Sequence, residues 1–376
     1  MGKRKPIAID LFCGVGGMSL GFKQAGFRIV GAFDKEERHV RTYKNNFPST
    51  SAFCVDLRKE TGQSLLSLAE CRQEVDLVFG GPPCQGFSMA GKRDLSDERN
   101  LLIFDFIRLV RQIRPKYFVM ENVQGLMLGG AIKLLDSFVH RAHLAGYSIV
   151  KKVRALNAAD FGVPQRRKRT FVIGYRSDLT APNYPEAAPI VDESGKAYFP
   201  TVRDAIADLP VIEDREGLFT KDGFVGALGQ ASHYGRIMRG EVKESSDAFP
   251  RRKRNGEPLT GCLRTRHSEE SIARFDSTQP GTSDPVSRFY RLDSDSVAPT
   301  IRAGTGSDRG SHMAPRPIHP EHPRCITVRE AARIHSYPDW FEFDSTRWHA
   351  FRQIGNSVPP RLARFVGREI LKVNRR

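Results

Sequence analysis

The sequence predicts an α/β protein in which a doubly wound, mostly parallel sheet carries a smaller, irregular inserted domain. Two observations lead to this prediction. Short apolar runs alternate with helix-like stretches over residues 1–176, and after Arg176 the chain is rich in Pro, Gly, Ser and Asp, with little periodicity until Thr327. Repeated alternation of strand and helix is typical of doubly wound sheets. We therefore expect one domain from residues 1–176 and 324–376, with residues 177–323 as the insert.

The strand candidates of the first part lie at residues 7–12, 28–33, 52–55, 75–79, 117–120, 148–153 and 169–174. Helical patterns occur at residues 17–25, 36–45 and 101–113, and again at 328–335 and 361–371. Ligands of doubly wound sheets bind beyond the carboxyl ends of the strands. The loops that follow the strands are therefore where we expect the chemistry.

The composition is that of an ordinary soluble protein, with 39% hydrophobic and 27% charged residues in 376. No apolar run approaches the ~20 residues of a membrane span. The N-terminus is basic, but its apolar stretch is short and contains Asp10, which favours a strand over a signal peptide. The six cysteines include no C-x-x-C pair, so neither a zinc ribbon nor a disulfide framework is predicted. We expect a cytosolic protein without a membrane partner.

The charge balance indicates a polyanionic partner. The chain has 59 Lys and Arg against 43 Asp and Glu, a net charge of +16. Residues 1–176 hold 29 of the basic and 16 of the acidic side chains. A basic excess of this size favours nucleic acid, although many basic proteins bind nothing specific.

The first motif is DLFCGVGG at residues 10–17, between a strand and a helix. Glycines such as Gly14 and Gly16 let a ligand approach the backbone, and the N-terminus of the following helix is electropositive. Ser19 stands where a dinucleotide fingerprint needs its third glycine. Asp34 and Asp56 end the next two strands and could accept hydrogen bonds from ribose hydroxyls and an adenine amino group. A plain tight turn is the alternative, but the two acids favour an adenosine-containing cofactor.

The second motif is GGPPCQGFS at residues 80–88, directly after a strand. The two prolines stiffen the loop and place Cys84 at the carboxyl edge of the sheet. A thiol becomes an efficient nucleophile only in an electropositive setting. The alternative is an inert loop cysteine.

Two further motifs lie on the predicted sheet edge. The first is ENV at residues 121–123, where the carboxyl of Glu121 could share a proton with a ring nitrogen of a heteroaromatic substrate. The second is QRRKR at residues 165–169, where strand alternation sends Gln165, Arg167 and Arg169 to one face and the other two residues to the opposite face. A solvated glutamate and a solvated charge run are the respective alternatives.

In this order, the four motifs resemble those of bacterial DNA cytosine-5 methyltransferases of the restriction-modification type. Residues 324–336, which contain TVREAAR, and residues 355–359, GNSVP, are similar to further blocks of that family. The similarity covers residues 7–176 and 324–370, while residues 177–323 match only as the place of a variable target-recognition domain. Lys35 departs from the family pattern, because many members have there an aromatic residue that stacks on the adenine.

The resemblance implies the Rossmann-like fold of methyltransferases that use S-adenosylmethionine and release S-adenosylhomocysteine. No metal is expected, because this cofactor supplies the electrophile itself. The positions that the resemblance assigns to cofactor binding are Phe12, Gly14, Gly16, Asp34, Asp56, Leu102 and Asn356.

The resemblance also implies the catalytic chemistry. The thiolate of Cys84 adds to carbon 6 of cytosine, Glu121 holds a proton at N3, and Arg167 and Arg169 stabilise the cytosine O2 and the loop around the thiolate. A base within a duplex must leave the stack to meet a thiol. The partner that the resemblance implies is double-stranded DNA. The protein is expected to be a monomer that acts in the bacterial cytosol and nucleoid. It would share its target with a restriction endonuclease without binding it.

Three alternatives stay open. An enzyme of the same chemistry could act on transfer RNA. A catalytically silent relative could bind DNA as a regulator, although the intact Cys84, Glu121 and Arg167 argue against silence. A hydride-transferring oxidoreductase could use such a sheet, but it explains neither Cys84 nor Arg167.

Overall fold

A computed structural model describes residues 4–83, 101–251, 256–304 and 316–374. Eight of the strands within these ranges form the main sheet: β1 Ile7–Leu11, β2 Arg28–Asp34, β3 Ser51–Cys54, β4 Leu77–Gly80, β5 Tyr117–Val123, β6 Tyr147–Ile149, β7 Arg154–Asn157 and β8 Lys168–Arg176. The spatial order is β3-β2-β1-β4-β5-β8-β6, with β7 also paired to β8.

The predicted doubly wound, mostly parallel sheet is confirmed. Strands β1 to β5 pair in parallel, and β8 runs antiparallel to β5, β6 and β7. The predicted boundaries differ from the observed ones by a few residues, and one prediction was wrong, because the segment 148–153 does not form a single strand. Lys152 has a left-handed φ of 53°, which turns the chain, so β6 ends early and β7 follows as a separate strand.

The chain order reverses at β1, which has β2 on one side and β4 on the other. Leu11 at the end of β1 pairs with Phe33 of β2 and with Gly80 of β4. The loops that leave these three strands therefore emerge side by side. Such a switch point is where open α/β sheets bind ligands.

The helices that cover the sheet or follow the insert are α1 Gly17–Ala25, α2 Glu37–Asn46, α3 Gly62–Leu68, α4 Leu102–Ile113, α5 Ala131–Leu144, α9 Val328–Ile334, α10 Arg347–Asn356 and α11 Pro360–Asn374. None of the helices in the described parts of the chain has the length and apolar character needed to cross a membrane.

Helices α1 and α11 pack against each other and return the C-terminal part of the chain to the first loop. Phe22 of α1 lies with Leu362 and Val366 of α11 in one hydrophobic cluster. A Cβ on Gly21 would lie 2.6 Å from the side chain of Ala363, so the close approach depends on glycine. This packing brings the turn between α10 and α11 to the carboxyl edge of the sheet.

The insert has little regular structure, as predicted: β9 Ile190–Val191, β10 Ala197–Tyr198, α6 Val202–Ile206, α7 His233–Arg239 and α8 Glu269–Ser277. Its apolar residues, among them Leu209 and Met238, share a hydrophobic cluster with Ala332 of α9. The buried Arg333 of α9 also lies 3.1 Å from Asp208 of the insert. The insert is therefore joined to the C-terminal segment by a common core.

Candidate active site

The loop after β1 turns through left-handed residues. Phe12, Gly14 and Gly16 have φ angles of 59°, 52° and 91°. A Cβ on Gly16 would lie 2.5 Å from the ring of Phe47, so the position needs glycine for its space as well as for its backbone. The N–H of Gly14 donates to Oδ2 of Asp34 at 2.9 Å, which ties this loop to the end of β2.

Asp34 is an ionised acceptor beside that loop. Its Oδ1 accepts from the N–H of Glu36 at 2.9 Å and lies 3.4 Å from Nδ1 of His39. Burial alone would raise the pKa of Asp34. The contact with His39 and the N–H groups of Glu36 and Gly14 outweigh burial and hold this pKa below its ordinary value.

A cavity opens between the first loop and the C-terminal segment. Phe12 and Gly14 line it from the loop, Asn356 lines it from the end of α10, and Gly81 and Glu121 line it from the ends of β4 and β5. The fold thus brings together predicted cofactor positions and the predicted catalytic carboxyl.

The other predicted cofactor residues do not line this cavity. Gly16 and Asp34 shape the loop, and Leu102 is the buried first residue of α4. Asp56 lies two residues beyond β3, with its Oδ2 2.5 Å from Nη2 of Arg58. The hydrogen bonds from Arg58 lower the pKa of Asp56 to about 2.

The cavity is also lined by polar side chains that the sequence analysis did not assign to the site, among them His39, Gln353 and Ser357. Ser357 adjoins Asn356 in the GNSVP block, so the motif itself could have indicated it. His39 lies within α2 and Gln353 within α10, where no motif distinguishes them from ordinary helical residues.

Glu121 and Arg169 form an ion pair at the carboxyl end of β5. Oε1 of Glu121 lies 2.9 Å from Nε of Arg169, and the two side chains are 10% and 14% exposed. Burial raises the pKa of Glu121 above its ordinary value, and the charges of Arg169 and Arg167 oppose this rise only in part. The site therefore contains a carboxyl that binds a proton more readily than an exposed glutamate does.

The loop after β4 is fastened to β5. Nδ2 of Asn122 donates to the carbonyl of Pro82 at 3.2 Å, and Pro82 itself is buried. The predicted nucleophile, Cys84, lies outside the described residues.

The alternation predicted for residues 165–169 is confirmed. Gln165 and Arg167 are fully buried and Arg169 is largely buried, whereas Arg166 and Lys168 are exposed. The segment therefore presents one face to the protein interior and a basic face to solvent.

Arg167 contacts backbone carbonyls rather than a carboxylate. Its Nη1 donates to Ile301 at 2.9 Å, and its Nη2 donates to Gly355 at 2.5 Å and to Ser357 at 2.8 Å. Within the described residues Nε of Arg167 has no hydrogen-bond partner. The structure therefore brings Arg169 to Glu121, and it places Arg167 against the turn that carries Asn356.

The chain is similar to known methyltransferases over nearly its whole length. The chain is 47% identical to the type II methyltransferase M.XorII of Xanthomonas oryzae pv. oryzae, over 99% of this chain and 86% of the relative. It is 35% identical to the type II methyltransferase M1.HphI of Haemophilus parahaemolyticus, over 97% of this chain and 87% of the relative.

Among solved structures, the fold matches one assigned as a DNA modification methyltransferase encoded within a prophage of E. coli. The TM-score is 0.81 at 30% identity, over 99% of this chain and 100% of that one. The Dnmt2 methyltransferase of S. pombe matches with a TM-score of 0.59 at 17% identity, over 98% and 99% of the two chains, a likeness of fold alone. The family model for C-5 cytosine-specific DNA methylases matches residues 7–372, and the chain belongs to that family.

Proposed function

We propose that this protein transfers a methyl group from S-adenosylmethionine to carbon 5 of a cytosine in duplex DNA. The observation that carries the proposal is the ion pair of Glu121 with Arg169, because Glu121 lines the same cavity as the glycine loop and Asn356. A proton-binding carboxyl beside the glycine loop suits a reaction that must activate an aromatic ring.

The residues of the cavity fit the cofactor. Phe12 and Gly14 of the left-handed loop line the cavity. Asp34 at the same loop has carboxylate lone pairs beyond those that contact Gly14, Glu36 and His39. We assign Phe12, Gly14, Asp34 and Asn356 to cofactor binding, with Gly16, Asp56 and Leu102 in support. When bound, S-adenosylmethionine would supply an electrophilic methyl group.

The chain's own groups would activate the base. Cys84 adds to carbon 6 of cytosine, and Glu121 holds a proton at N3, which takes up the charge that the addition places on the ring. Arg169 fixes the orientation of the Glu121 carboxyl and faces the base with it. Arg167 acts by holding the turn at Gly355 and Ser357.

We assign DNA recognition to the insert, residues 177–323. The guanidinium groups of Arg264 and Arg266 lie 4.1 and 4.3 Å from the centre of the Phe219 ring. Arg264 pairs with Glu216 at 3.3 Å, whereas Arg266 forms no salt bridge within the described residues. Stacking fixes a guanidinium plane and leaves N–H groups available for phosphate.

We further propose that the protein is the modification enzyme of a restriction-modification system and acts as a monomer. The role in restriction-modification is supported by two relatives that are named type II methyltransferases. They are 47% and 35% identical to this protein over nearly the whole chain. The endonuclease would read the same DNA sequence without binding this protein.

Transfer of a tritiated methyl group from S-adenosylmethionine to plasmid DNA tests the proposal. Bisulfite sequencing of the product should show methylated cytosine at one recurring sequence. Methylation of transfer RNA with none of DNA would establish the alternative substrate. DNA binding without methyl transfer to either would establish a silent relative.

A further inference from the structure

A closed loop of hydrogen bonds joins the segment before β8 to the turn Asn356–Ser357, which we call the cofactor turn. It passes through Gln165, Ile301, Arg167, Ser357 and His335, and we call it the buried circuit. Within it, Gln165 contacts the ring of His335 at 3.0 Å and the N–H of Ile301 at 3.2 Å. Arg167 donates to the carbonyls of Ile301 and Ser357, and the other nitrogen of His335 lies 3.2 Å from the Ser357 carbonyl.

The donors and acceptors of the circuit assign the tautomer of His335. The backbone N–H of Ile301 can only donate, so Gln165 presents its oxygen there and its amide nitrogen to Nδ1 of His335. Nε2 of His335 contacts both the carbonyl and Oγ of Ser357, at 3.2 and 3.1 Å. The carbonyl can only accept, and Oγ donates its proton to the carbonyl of Ile354 at 2.9 Å, so it too is an acceptor for Nε2. Nδ1 of His335 therefore accepts a hydrogen bond and Nε2 carries the proton. The partners of both imidazole nitrogens require this same neutral tautomer.

Electrostatics favour the same state. His335 and Arg167 are both fully buried, and Arg167 forms no salt bridge within the described parts of the chain. A second positive charge beside this cation would be unfavourable. Burial, and after it the charge of Arg167, hold the pKa of His335 well below its ordinary value.

We propose that His335 is a positioning residue that holds the cofactor turn Asn356–Ser357 against the segment that carries Arg169. The inference rests on the proposed function, since Asn356 and Ser357 line the cavity assigned to the cofactor. His335 itself does not line that cavity. It acts through Ser357 on one side and through Gln165, four residues before Arg169, on the other.

Two variants of His335 separate positioning from folding. His335→Leu removes both hydrogen bonds and leaves Gln165 and Ser357 without these partners. His335→Gln keeps one donor and one acceptor on neighbouring atoms and should rescue. The matched control is Tyr147→Phe, because the Tyr147 hydroxyl donates to the carbonyl of Pro115 at 2.6 Å in an equally buried place at the opposite edge of the sheet.

The readout is the Kd of S-adenosylhomocysteine by calorimetry, measured well below each variant's Tm. We expect His335→Leu to raise this Kd about tenfold or more, with KM for the cofactor rising more than kcat falls. His335→Gln should stay within about threefold of the wild type, and Tyr147→Phe should leave the Kd unchanged.

An unchanged Kd in His335→Leu would overturn the positioning role. So would an equal loss of affinity in Tyr147→Phe, which would make the effect one of general stability, or a failure of His335→Gln to rescue. If the wild type itself bound no S-adenosylhomocysteine, the proposed function would fall instead.

Discussion

Gly81 and Glu121 face each other so closely that a Cβ on Gly81 would lie 2.7 Å from Oε2 of Glu121. The glycine follows β4 and the glutamate lies in β5, so neighbouring strands set the distance between them. The carboxyl is thus confined by Gly81 on one side and by Arg169, 2.9 Å from its other oxygen, on the opposite side. Its orientation is fixed before any substrate is present, which is what electrostatic preorganisation requires.

Replacing Gly81 with Ala should therefore impair catalysis more than folding. The new methyl group must displace the Glu121 carboxyl, and we expect kcat to fall about a hundredfold with little change in the free energy of unfolding. Steady-state methyl transfer and urea unfolding measure the two quantities. Gly217→Ala is the control, because a Cβ there meets nothing within 4 Å. Full activity of Gly81→Ala would show that the carboxyl has room to move.

Removing Arg169 should raise the pKa of Glu121 further. Burial raises this pKa, and the charge of Arg169 is the largest effect that opposes it, so in Arg169→Ala burial is opposed by the charge of Arg167 alone. Carboxyl ¹³C NMR of glutamate-labelled protein would follow the titration. Methyl transfer should fall by about a hundredfold or more, whereas Arg166→Ala, on the exposed face of the same segment, should leave the pKa of Glu121 unchanged.

The same variant has a predictable effect on stability. A carboxyl whose folded pKa is raised contributes stability that is fully present below its ordinary pKa and is lost as the pH rises through the folded pKa. The free energy of unfolding of Arg169→Ala should therefore fall more steeply than that of the wild type as the pH is raised above the ordinary value of 4.5. A parallel pH dependence of the two proteins would contradict this account.

Asp34→Ala should weaken cofactor binding without weakening DNA binding. The carboxylate holds the N–H of Gly14 and the N–H of Glu36, so its loss both frees the loop and removes the acceptor proposed for ribose. We expect the Kd of S-adenosylhomocysteine to rise at least tenfold, as measured by calorimetry. Asp34→Asn keeps one acceptor oxygen, so its Kd should lie between those of the wild type and Asp34→Ala. An unchanged Kd in Asp34→Ala would exclude Asp34 from the site.

Local chemistry explains what could be predicted from the sequence. Helix α1 lies at the predicted residues 17–25, because glycines flank it at both ends, Gly16 and Gly26. The alternation from Gln165 to Arg169 follows from strand geometry alone. Helix α5 was not among the helices predicted, although its buried residues Ala131, Leu135, Phe138 and Ala142 have helical spacing.

Contacts between distant parts of the chain could not be predicted. Gln165 and His335 are 170 residues apart in sequence, so their contact depends on how distant elements of the folded chain pack together. For the same reason the motif QRRKR could not show that Arg167 and Arg169 have different roles. It depends on which of them meets the carbonyls of Gly355 and Ser357.

The insert and the C-terminal segment share a core, and replacing Asp208 would test how strongly they are joined. Its carboxylate lies 3.1 Å from Arg333 and 2.5 Å from Arg239, and Asp208 and Arg333 are almost fully buried. In the part of the chain that the structure describes, Asp208→Ala leaves Asp339 as the one anionic partner of the buried Arg333, and we expect a loss of about 3 kcal/mol in the free energy of unfolding. Urea unfolding followed by fluorescence measures it. A loss below about 1 kcal/mol would mean that the ion pair of Asp208 with Arg333 contributes little to holding the insert.

Duplex DNA with 5-fluorocytosine at the target should trap the enzyme covalently when S-adenosylmethionine is present. Cys84 adds to carbon 6, a methyl group is placed on carbon 5, and release then requires a proton to leave carbon 5. Fluorine cannot leave as a cation, so elimination stops and the thioether bond persists through denaturing electrophoresis. Cys84→Ala should give no shifted band, and an equivalent RNA substrate should trap poorly. Efficient trapping on transfer RNA with none on DNA would identify RNA as the substrate. If an active enzyme formed no covalent complex with either DNA or RNA, attack by Cys84 would be refuted. No other step of the proposed reaction leaves a stable bond between protein and base.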